Sequence, residues 1–258
     1  MTADSAKEFD GAVAFVTGAA GMGIGNATVR RMAAGGASVV VTDIHPGRTD
    51  DVTRSIAEEY PKSRVYGYPM DAGDRGHIDD VVEKVLADIG RIDILVNNAA
   101  INILGSVFDY EPADWDRVMA VNIDGPWYLS RRVLPQMRDR NAGVIVNVTS
   151  YAGDVGGMGM ETPYAVSKGA LNTLTRCLAH EAGPFGIRVN SVSPGVTDGT
   201  KFIVDHPEIR SRPDAVGPLG SVPHKDELAE VIAFLASRRA AHITGEIINV
   251  CGGAYMRN

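Results

Sequence analysis

The sequence of 258 residues contains few cysteines, few aromatic residues and no long apolar run. Its two cysteines, Cys177 and Cys251, form no Cys-x-x-Cys pair and are too few for a disulfide framework, which is typical of a reducing compartment. No apolar stretch approaches the roughly 18 residues of a membrane span, and the opening residues do not resemble a secretion signal. We therefore expect a cytoplasmic protein that does not bind membranes.

Positive charge is also scarce. The chain has 25 Lys and Arg against 32 Asp and Glu, giving a net charge of −7, which disfavours binding to the phosphate backbone of nucleic acids. Its six histidines are scattered and never fall at metal-ligand spacing. We expect neither a nucleic-acid partner nor a metal.

Short runs of β-branched residues alternate with longer helical patterns along the whole chain, as in βαβ units. Several runs are apolar at successive positions, which indicates strands covered on both faces. The pattern predicts an α/β fold of the Rossmann type, a doubly wound parallel sheet of about seven strands with helices on both faces, in a single domain over residues 1–258. The predicted strands are 12–17, 38–42, 64–68, 92–97, 143–149, 188–192 and 246–250, and the predicted helices are 25–34, 48–60, 76–88, 111–139, 164–182 and 225–237.

Residues 196–223 differ from the rest of the chain. They carry repeated proline and glycine steps and show little periodicity, which is unusual for so long a connection inside a compact domain. We interpret this segment as a mobile substrate lid, with an ordinary surface loop as the alternative.

A glycine-rich turn, TGAAGMGIGNAT, follows the first strand and opens the first helix. The glycines Gly18, Gly21, Gly23 and Gly25 allow backbone N–H groups to approach a diphosphate at the helix N-terminus. A glycine-rich turn alone is a weak signal. Its place between strand and helix predicts a dinucleotide site.

Asp43 ends the second strand, where a carboxylate can accept hydrogen bonds from both hydroxyls of an adenosine ribose. The 2′-phosphate of NADP would meet like charge there, at a cost of about 4 kcal/mol for two charges 4 Å apart at an effective dielectric constant near 20. Asp43 therefore predicts NAD, although the guanidinium of Arg48 could accept such a phosphate.

The segment YAVSK places Tyr164 and Lys168 four residues apart, on one face of a predicted helix. Ser150 comes earlier, at the end of a predicted strand. A Tyr-x-x-x-Lys pair alone is a weak signal. Its significance comes from the order in which it follows the glycine turn and Ser150.

In this order the motifs resemble the short-chain dehydrogenase/reductase family, in its compact single-domain branch, over nearly the whole chain. The likeness rests on the glycine turn, PMDAGD, NNAA, VNIDG, NVTSYAG, YAVSK and SVSPGV. It implies hydride transfer between a nicotinamide dinucleotide and a small molecule. The catalytic residues implied are Asn122, Ser150, Tyr164 and Lys168. The cofactor-binding residues implied are Gly18, Gly21, Met22, Gly23, Ile24, Asp43, Asp71, Ala72, Asn98, Ala99, Tyr164, Lys168, Pro194, Gly195, Val196 and Thr197.

The resemblance gives Tyr164 the role of proton donor and acceptor. To act as a base near neutral pH, its phenol needs a pKa about 3 units below the usual value near 10, and we expect the Lys168 ammonium to lower it. Ser150 would orient the substrate oxygen through a hydrogen bond. Asn122 would hold a water behind Lys168.

The sequence departs from the family pattern in three places. Four residues rather than three separate Gly18 from Gly23, so the glycine turn is one residue longer. Gly199 stands where the family often has threonine, and Cys251 where an acidic residue is usual. We do not expect Cys251 to be a catalytic thiol, because no basic partner is evident.

The predicted substrate-binding residues are Ser150, Tyr164, Met158 and Met160 between them, and Phe202 in the lid. The methionines offer adaptable apolar contacts, and no Lys or Arg cluster accompanies them. We therefore expect a neutral, moderately hydrophobic secondary alcohol or ketone. The family resemblance further implies a homotetramer or homodimer, formed through the predicted helices 111–139 and 164–182.

Three other functions remain open. A 3-oxoacyl-carrier reductase has the same fold, but Asp43 disfavours the NADPH it usually takes. An epimerase or dehydratase of the extended branch would need a larger C-terminal substrate domain. A non-catalytic nucleotide sensor or scaffold would not need the intact set of Ser150, Tyr164 and Lys168.

Overall fold

A computed structural model describes residues 7–213 and 215–257. Within them the centre is one parallel sheet in the order β3-β2-β1-β4-β5-β6-β7. The chain builds outward from β1 to β3 and then returns to add β4 on the other side of β1, so the predicted doubly wound fold is confirmed. The crevice at this reversal, outside the carboxyl ends of the strands, is where such sheets bind ligands. The strands are β1 (Val13–Val16), β2 (Ser38–Asp43), β3 (Val65–Pro69), β4 (Ile94–Asn97), β5 (Gly143–Val148), β6 (Ile187–Pro194) and β7 (Ile247–Val250).

Two layers of helices cover the sheet. Residues of α1, α2 and α9 pack in one hydrophobic cluster with one face of the sheet, and residues of α3, α5 and α7 pack in a second cluster with the other. The α-helices are α1 (Ile24–Ala34), α2 (Pro46–Glu59), α3 (Arg75–Ile89), α4 (Pro112–Met119), α5 (Gly125–Asp139), α6 (Ala152–Val155), α7 (Thr162–Ala182), α8 (Lys201–Asp205) and α9 (Lys225–Ala236). Short 3-10 helices lie at Gly183–Phe185, Pro207–Ser211 and Arg238–Ala240.

Strand β1 shows why the strands read as continuous apolar runs. Ala14 and Val16 face the α1 layer, whereas Val13 and Phe15 face the α3 layer, and all four are buried. Because both faces are covered, alternation between polar and apolar residues has no advantage here. The sheet is therefore a rigid support for residues at its carboxyl edge.

The predicted single helix 111–139 is wrong. Helix α4 ends at Met119, a π-helical turn occupies Ala120–Asp124, and α5 begins at Gly125. Pro126 has no N–H to donate to the carbonyl of Asn122, four residues earlier, so a regular α-helical ladder cannot continue through this point. The interruption falls at the residue that the sequence predicts to be catalytic.

The segment 196–223 contains more regular structure than the sequence predicts. It includes α8 and the 3-10 helix Pro207–Ser211. The apolar side chains of Val196, Ile203, Ile209 and Ala215 form a small cluster of their own, separate from the two main ones. The segment therefore has a small core of its own, and its role as a mobile lid remains a prediction. Helix α6, after Ser150, was also not predicted.

A row of buried polar side chains crosses three neighbouring strands on the α7 side. Asn97 of β4 donates to Asn147 of β5 over 2.8 Å, and Asn147 donates to Thr175 of α7 over 2.9 Å. The hydroxyls of Thr175 and Ser191 of β6 are 2.6 Å apart. The row joins the strands to α7 next to the segment that carries Ser150.

In the described part of the chain, no helix combines the length and apolar character needed to cross a bilayer. Within residues 7–213 and 215–257, no three His, Cys, Asp or Glu side chains are grouped so as to hold a metal ion.

Candidate active site

A cavity of about 940 Å³ runs along the carboxyl edge of the sheet. It extends from Asp43 at one end to Tyr164 and Met158 at the other. The predicted site residues that line it are Gly18, Gly23, Ile24, Asp43, Asp71, Ala72, Asn98, Ala99, Ser150, Met158, Tyr164, Lys168, Pro194, Gly195, Val196, Thr197 and Phe202. Gly21, Met22, Asn122 and Met160 are predicted site residues that do not line it.

The glycine turn is fixed against the end of β4. The Thr17 hydroxyl accepts hydrogen bonds from the N–H groups of Asn98 and Ala99, both over 2.9 Å. The Asn98 amide donates to the carbonyls of Thr17 and Gly18, over 2.8 and 3.1 Å. Gly18 has φ of +62°, and a Cβ there would lie 2.8 Å from Cα of Ala99. Only glycine fits this position, because the backbone is left-handed and the neighbour is main chain.

The start of α1 leaves its first N–H groups available to an anion. Its N-cap is Gly23, which makes no side-chain capping hydrogen bond, and its first turn holds no acidic residue. Both Gly23 and Ile24 line the cavity. This end of the cavity fits a diphosphate, since free N–H groups and the helix dipole both favour negative charge.

The additional residue in the glycine turn lies on its outer side. Met22 is 47% exposed, and its carbonyl accepts a hydrogen bond from Lys225 Nζ over 2.7 Å. A Cβ on Gly21 would meet nothing within 4 Å. The longer turn bulges away from the cavity, which is why these two predicted cofactor-binding residues lie outside its lining. The Lys225 side chain links this bulge to the start of α9.

Asp43 places a buried carboxylate at the far end of the cavity. Its Oδ1 accepts from His45 N over 3.2 Å and from Arg48 Nη2 over 3.3 Å. Burial raises the pKa of Asp43 above its usual value, against the opposing effects of Arg48 and of the N–H groups of Ala20 and Ile44. Ala20 belongs to the glycine turn, so the two parts of the predicted dinucleotide site touch.

Asp71 is held in place before any ligand binds. Both of its carboxylate oxygens accept from Arg117 Nη2 of α4, over 3.0 and 2.9 Å, and Oδ1 also accepts from Gly73 N over 2.8 Å. Arg117 also lines the cavity. The sequence analysis did not find it, because the contact joins residues 46 positions apart.

Ser150, Tyr164 and Lys168 converge at the other end. Ser150 follows β5, whereas Tyr164 and Lys168 lie in the first two turns of α7. Lys168 is 2% exposed, and its Nζ donates to the carbonyl of Val148 over 2.8 Å. The same Nζ lies 5.5 Å from the centre of the Tyr164 ring. Strand β5 and helix α7 therefore bring the predicted catalytic side chains to one place.

Burial dominates the acid–base properties of these groups in the chain itself. It lowers the pKa of Lys168 from 10.5 to about 7. It raises the pKa of Tyr164 to about 12, an effect that a hydrogen bond with Ser150 opposes and the charge of Glu161 reinforces. The sequence analysis expected Lys168 to lower the Tyr164 pKa. In the chain alone the direction is the opposite, because desolvation disfavours both charged forms.

Asn122 is fully buried and does not line the cavity. Its Oδ1 accepts from Ile101 N over 2.9 Å, and its amide donates to Ile101 O over 2.9 Å and to Ser167 Oγ over 3.1 Å. The side chain thus ties the loop after β4 to α7. Both the oxygen and the nitrogen of this side chain are therefore used within the fold.

The substrate end is more polar than the sequence predicts. Met158 and Phe202 line the cavity, but Met160 is 56% exposed and lies outside it. The carbonyl of Met160 accepts a hydrogen bond from Gly105 N over 2.9 Å. The lining also includes Asn102 and the buried Glu161, which sequence reasoning missed. The position of Glu161, three residues before Tyr164 on the same helix, was a usable signal, whereas Asn102 offered none.

These features define a class of protein. A parallel sheet with a glycine turn and ribose-end carboxylate at one end of a cavity, and serine, tyrosine and lysine at the other, fits a nicotinamide dinucleotide beside a small substrate. This is the arrangement of a pyridine-nucleotide oxidoreductase that interconverts alcohols and ketones.

Comparison with known proteins agrees. A sequence profile described as enoyl-(acyl carrier protein) reductase matches residues 18–255. A 3-oxoacyl-(acyl-carrier-protein) reductase of Thermotoga maritima is 39% identical, with 95% of this chain and 98% of the relative covered. A meso-2,3-butanediol dehydrogenase of Serratia marcescens is 37% identical, with 95% of each covered. The chain belongs to the short-chain dehydrogenase/reductase family.

Solved structures share the fold. One described as a short chain dehydrogenase/reductase family protein superposes with a TM-score of 0.85 at 35% identity, covering 96% of this chain and 99% of that one. The L-sorbose reductase of Gluconobacter frateurii, solved with NADPH and L-sorbose, has a TM-score of 0.90 at 28% identity, covering 98% of this chain and 100% of that one.

Proposed function

We propose that this protein is an NAD-dependent oxidoreductase that interconverts a secondary alcohol and a ketone on a neutral small molecule. The observation that carries the proposal is the convergence of Ser150, Tyr164 and Lys168 on the cavity that also holds the glycine turn and Asp43. The proposed catalytic unit is the whole chain, 1–258, with residues 196–223 as a substrate lid, which Phe202 supports by lining the cavity.

The preference for NAD rests on charge at the Asp43 end. The Asp43 carboxylate would repel a 2′-phosphate by about 4 kcal/mol at 4 Å separation and an effective dielectric constant near 20. The neighbouring cations are already paired: Arg48 with Asp43 itself and Arg117 with Asp71. The relatives do not decide the matter, since one was solved with NADPH.

The cofactor and the side chains of the protein supply different parts of the mechanism. When bound, the nicotinamide ring supplies the hydride acceptor or donor and, when oxidised, a positive charge. The Tyr164 oxygen takes the hydroxyl proton in oxidation and returns it in reduction. The Ser150 hydroxyl holds the substrate oxygen by a hydrogen bond. Lys168, in its charged form, stabilises the phenolate of Tyr164, and the carbonyl of Asn122 holds a water behind Lys168.

Chemistry near neutral pH requires the Tyr164 pKa to fall well below the value of about 12 found in the chain. Positive charge from Lys168 and from an oxidised nicotinamide acts in that direction. We therefore expect nucleotide binding to acidify the phenol, and to make oxidation of the alcohol increase with pH up to the pKa of the complex.

A 3-oxoacyl-carrier reductase is the second candidate, and it is favoured by the relative from Thermotoga maritima. The two functions differ in cofactor and substrate size. An acyl-carrier thioester is neutral at its reacting end, so the carboxylates of the cavity do not exclude it.

We propose that the chain forms a homotetramer or homodimer through the outer sides of α4, α5 and α7. Trp115, Trp127 and Val166 are 38, 40 and 45% exposed on these helices. Light scattering coupled to gel filtration would measure the mass, and a monomer at micromolar concentration would refute this part.

The test is steady-state kinetics with NAD and NADP on a panel of secondary alcohols and on an acetoacetyl thioester. We expect kcat/KM for NAD to exceed that for NADP at least tenfold, and D43A to narrow the ratio, whereas D51A, an exposed acid of α2, should not. A lower KM with equal kcat for NADP would refute the Asp43 argument. Activity confined to charged sugars, or to the thioester, would refute the proposed substrate class.

A further inference from the structure

A buried carboxylate stands beside the predicted catalytic tyrosine without a cationic partner. Glu161, 5% exposed, is the N-cap of α7 and lies three residues before Tyr164. Its side chain makes no capping hydrogen bond to the helix. Within residues 7–213 and 215–257, the hydrogen bonds to its carboxylate come from a side-chain amide and a backbone N–H rather than from a Lys, Arg or His side chain. A charge buried in this way is costly unless hydrogen bonds satisfy it.

Two hydrogen-bond donors hold this carboxylate. Oε2 accepts from Asn102 Nδ2 over 2.7 Å, and Oε1 accepts from the N–H of Met158 over 3.0 Å. Gly157, at φ of +76°, brings the loop close, since a Cβ there would lie 2.5 Å from Oε1. The loop before α7 thus wraps the side chain and fixes its direction. Asn102, Gly157, Met158 and Glu161 all line the cavity.

The orientation of the Asn102 amide follows from its partner. An ionised carboxylate only accepts hydrogen bonds, so the NH₂ of Asn102 must face Glu161. The Asn102 Oδ1 is then turned the other way, where it is buried and has no hydrogen-bond partner. Such buried acceptors are rare in folded proteins, and each one needs an explanation.

The unused lone pairs of Glu161 determine which ligands can bind beside it. A carboxylate has about four acceptor positions, and Glu161 uses two of them. Because Glu161 lines the cavity, the remaining acceptor positions of its carboxylate are left for a ligand. A neutral ligand that binds there must bring hydrogen-bond donors, and an anionic group would be repelled.

Resting on the proposed function, we propose that Glu161 is a specificity-determining residue that binds a second hydroxyl of the substrate, next to the carbon that reacts at Tyr164, and that Asn102 positions its carboxylate. The substrate class is then a neutral diol or hydroxyketone rather than a simple hydrophobic alcohol. A hydroxyl supplies the hydrogen-bond donor that Glu161 lacks without burying a second charge.

A matched pair of alcohols tests this proposal. 2,3-Butanediol and 2-butanol differ by one hydroxyl, and with NAD we expect kcat/KM for the diol to be at least tenfold higher, mainly through KM. E161Q keeps the shape and removes the charge, and N102L removes the amide. Each should lower the diol-to-monool ratio at least fivefold. E111Q is the control, because Glu111 is likewise an N-cap without a capping side chain, on α4 and outside the cavity lining.

The outcomes separate the two proposals. Turnover of 2-butanol at the same kcat/KM as the diol would overturn the specificity proposal and leave the proposed function standing, and so would a ratio unchanged in folded E161Q and N102L. A higher kcat/KM for 3-amino-2-butanol than for the diol would overturn the choice of a hydroxyl. If no alcohol reacts, the proposed function fails, and calorimetric titration of the alcohols with NAD present still tests the role of Glu161. Tighter binding of the diol than of 2-butanol, lost in E161Q, supports the proposed hydroxyl site, and equal binding refutes it.

Discussion

The two ends of the cavity are built in opposite ways. At the nucleotide end, Thr17 and Asn98 share four hydrogen bonds with backbone groups of the glycine turn and of the β4 end. At the substrate end, Lys168 donates to one carbonyl and has no carboxylate partner among the described residues, and Asn102 Oδ1 has no partner. At the first end the fold satisfies the side chains that hold the glycine turn, and the groups left for a ligand are the first N–H groups of α1. At the second end, buried side chains keep hydrogen-bonding capacity that the fold does not use.

This difference indicates that the nucleotide end contributes to stability, whereas the substrate end is built for function at a cost in stability. Satisfied polar groups make a rigid surface, so the nucleotide end is preorganised and contributes to folding. Unpaired buried groups cost stability and are retained at sites that use them. Mutations at the two ends should therefore move stability in opposite directions.

The largest effect is expected at the substrate end, on activity alone. Y164F removes the group that transfers the proton and should lower kcat about a thousandfold or more, while the Kd for NAD changes by no more than about threefold. Stopped-flow or steady-state kinetics and nucleotide titration measure the two. Retained turnover with lost nucleotide binding would reverse the assignment.

The next effect is on stability, again at the substrate end. Burial lowers the Lys168 pKa to about 7 in the folded chain, so below pH 7 the folded state carries a buried charge that K168M lacks. We expect K168M to be inactive yet to melt about 5 °C higher at pH 6. As pH rises above 7 the folded chain releases this proton while the unfolded chain keeps it, so wild-type stability increases and the gap closes.

Melting curves without added nucleotide, at intervals from pH 6 to 9.5, check this sign. Tyr164, whose pKa is raised to about 12, stays protonated in both states over most of this window. K62M, at an exposed lysine, is the control for loss of a lysine from the surface. A lower melting temperature for K168M at pH 6 would show that Lys168 stabilises the fold.

At the nucleotide end we expect substitution to lower the stability of the fold rather than to raise it. G18A places a methyl group 2.8 Å from the backbone of Ala99 at a left-handed position, and should cost about 2 kcal/mol of stability and raise the KM for NAD at least tenfold. G21A, in the same turn but with open space around its Cα, is the matched control and should stay within about 0.5 kcal/mol. Equal effects of the two would mean that the turn is not held as described.

The smallest effect is expected where the turn meets α9. K225M removes the hydrogen bond to the carbonyl of Met22 and should raise the KM for NAD two- to threefold at constant kcat, since it loosens the bulge without touching the reacting end. K84M, on the exposed side of α3, should change neither constant. A fall in kcat for K225M would place Lys225 closer to the chemistry.

The sequence predicted the sheet, the family and the convergence of Tyr164 and Lys168, because these depend on local periodicity and on motifs in a fixed order. It missed features that depend on distant contacts. Glu161 and Asn102 are 59 positions apart, and only the fold brings them together. The break before α5 has a signal in the sequence, since Pro126 is a helix-stop residue inside the predicted helix.

The polar row of Asn97, Asn147 and Ser191 has a consequence for how the chain folds. Valine and isoleucine fill most of the neighbouring positions, and such strands can slide past one another with little loss of apolar contact. Asn97 aligns with Asn147, and Asn147 with Ser191. A shift of one residue would turn an amide into the opposite layer, where Val96, Val146 and Val192 pack. Three small polar side chains thus allow a single alignment of the central strands, and with it a single placement of the loops that follow them.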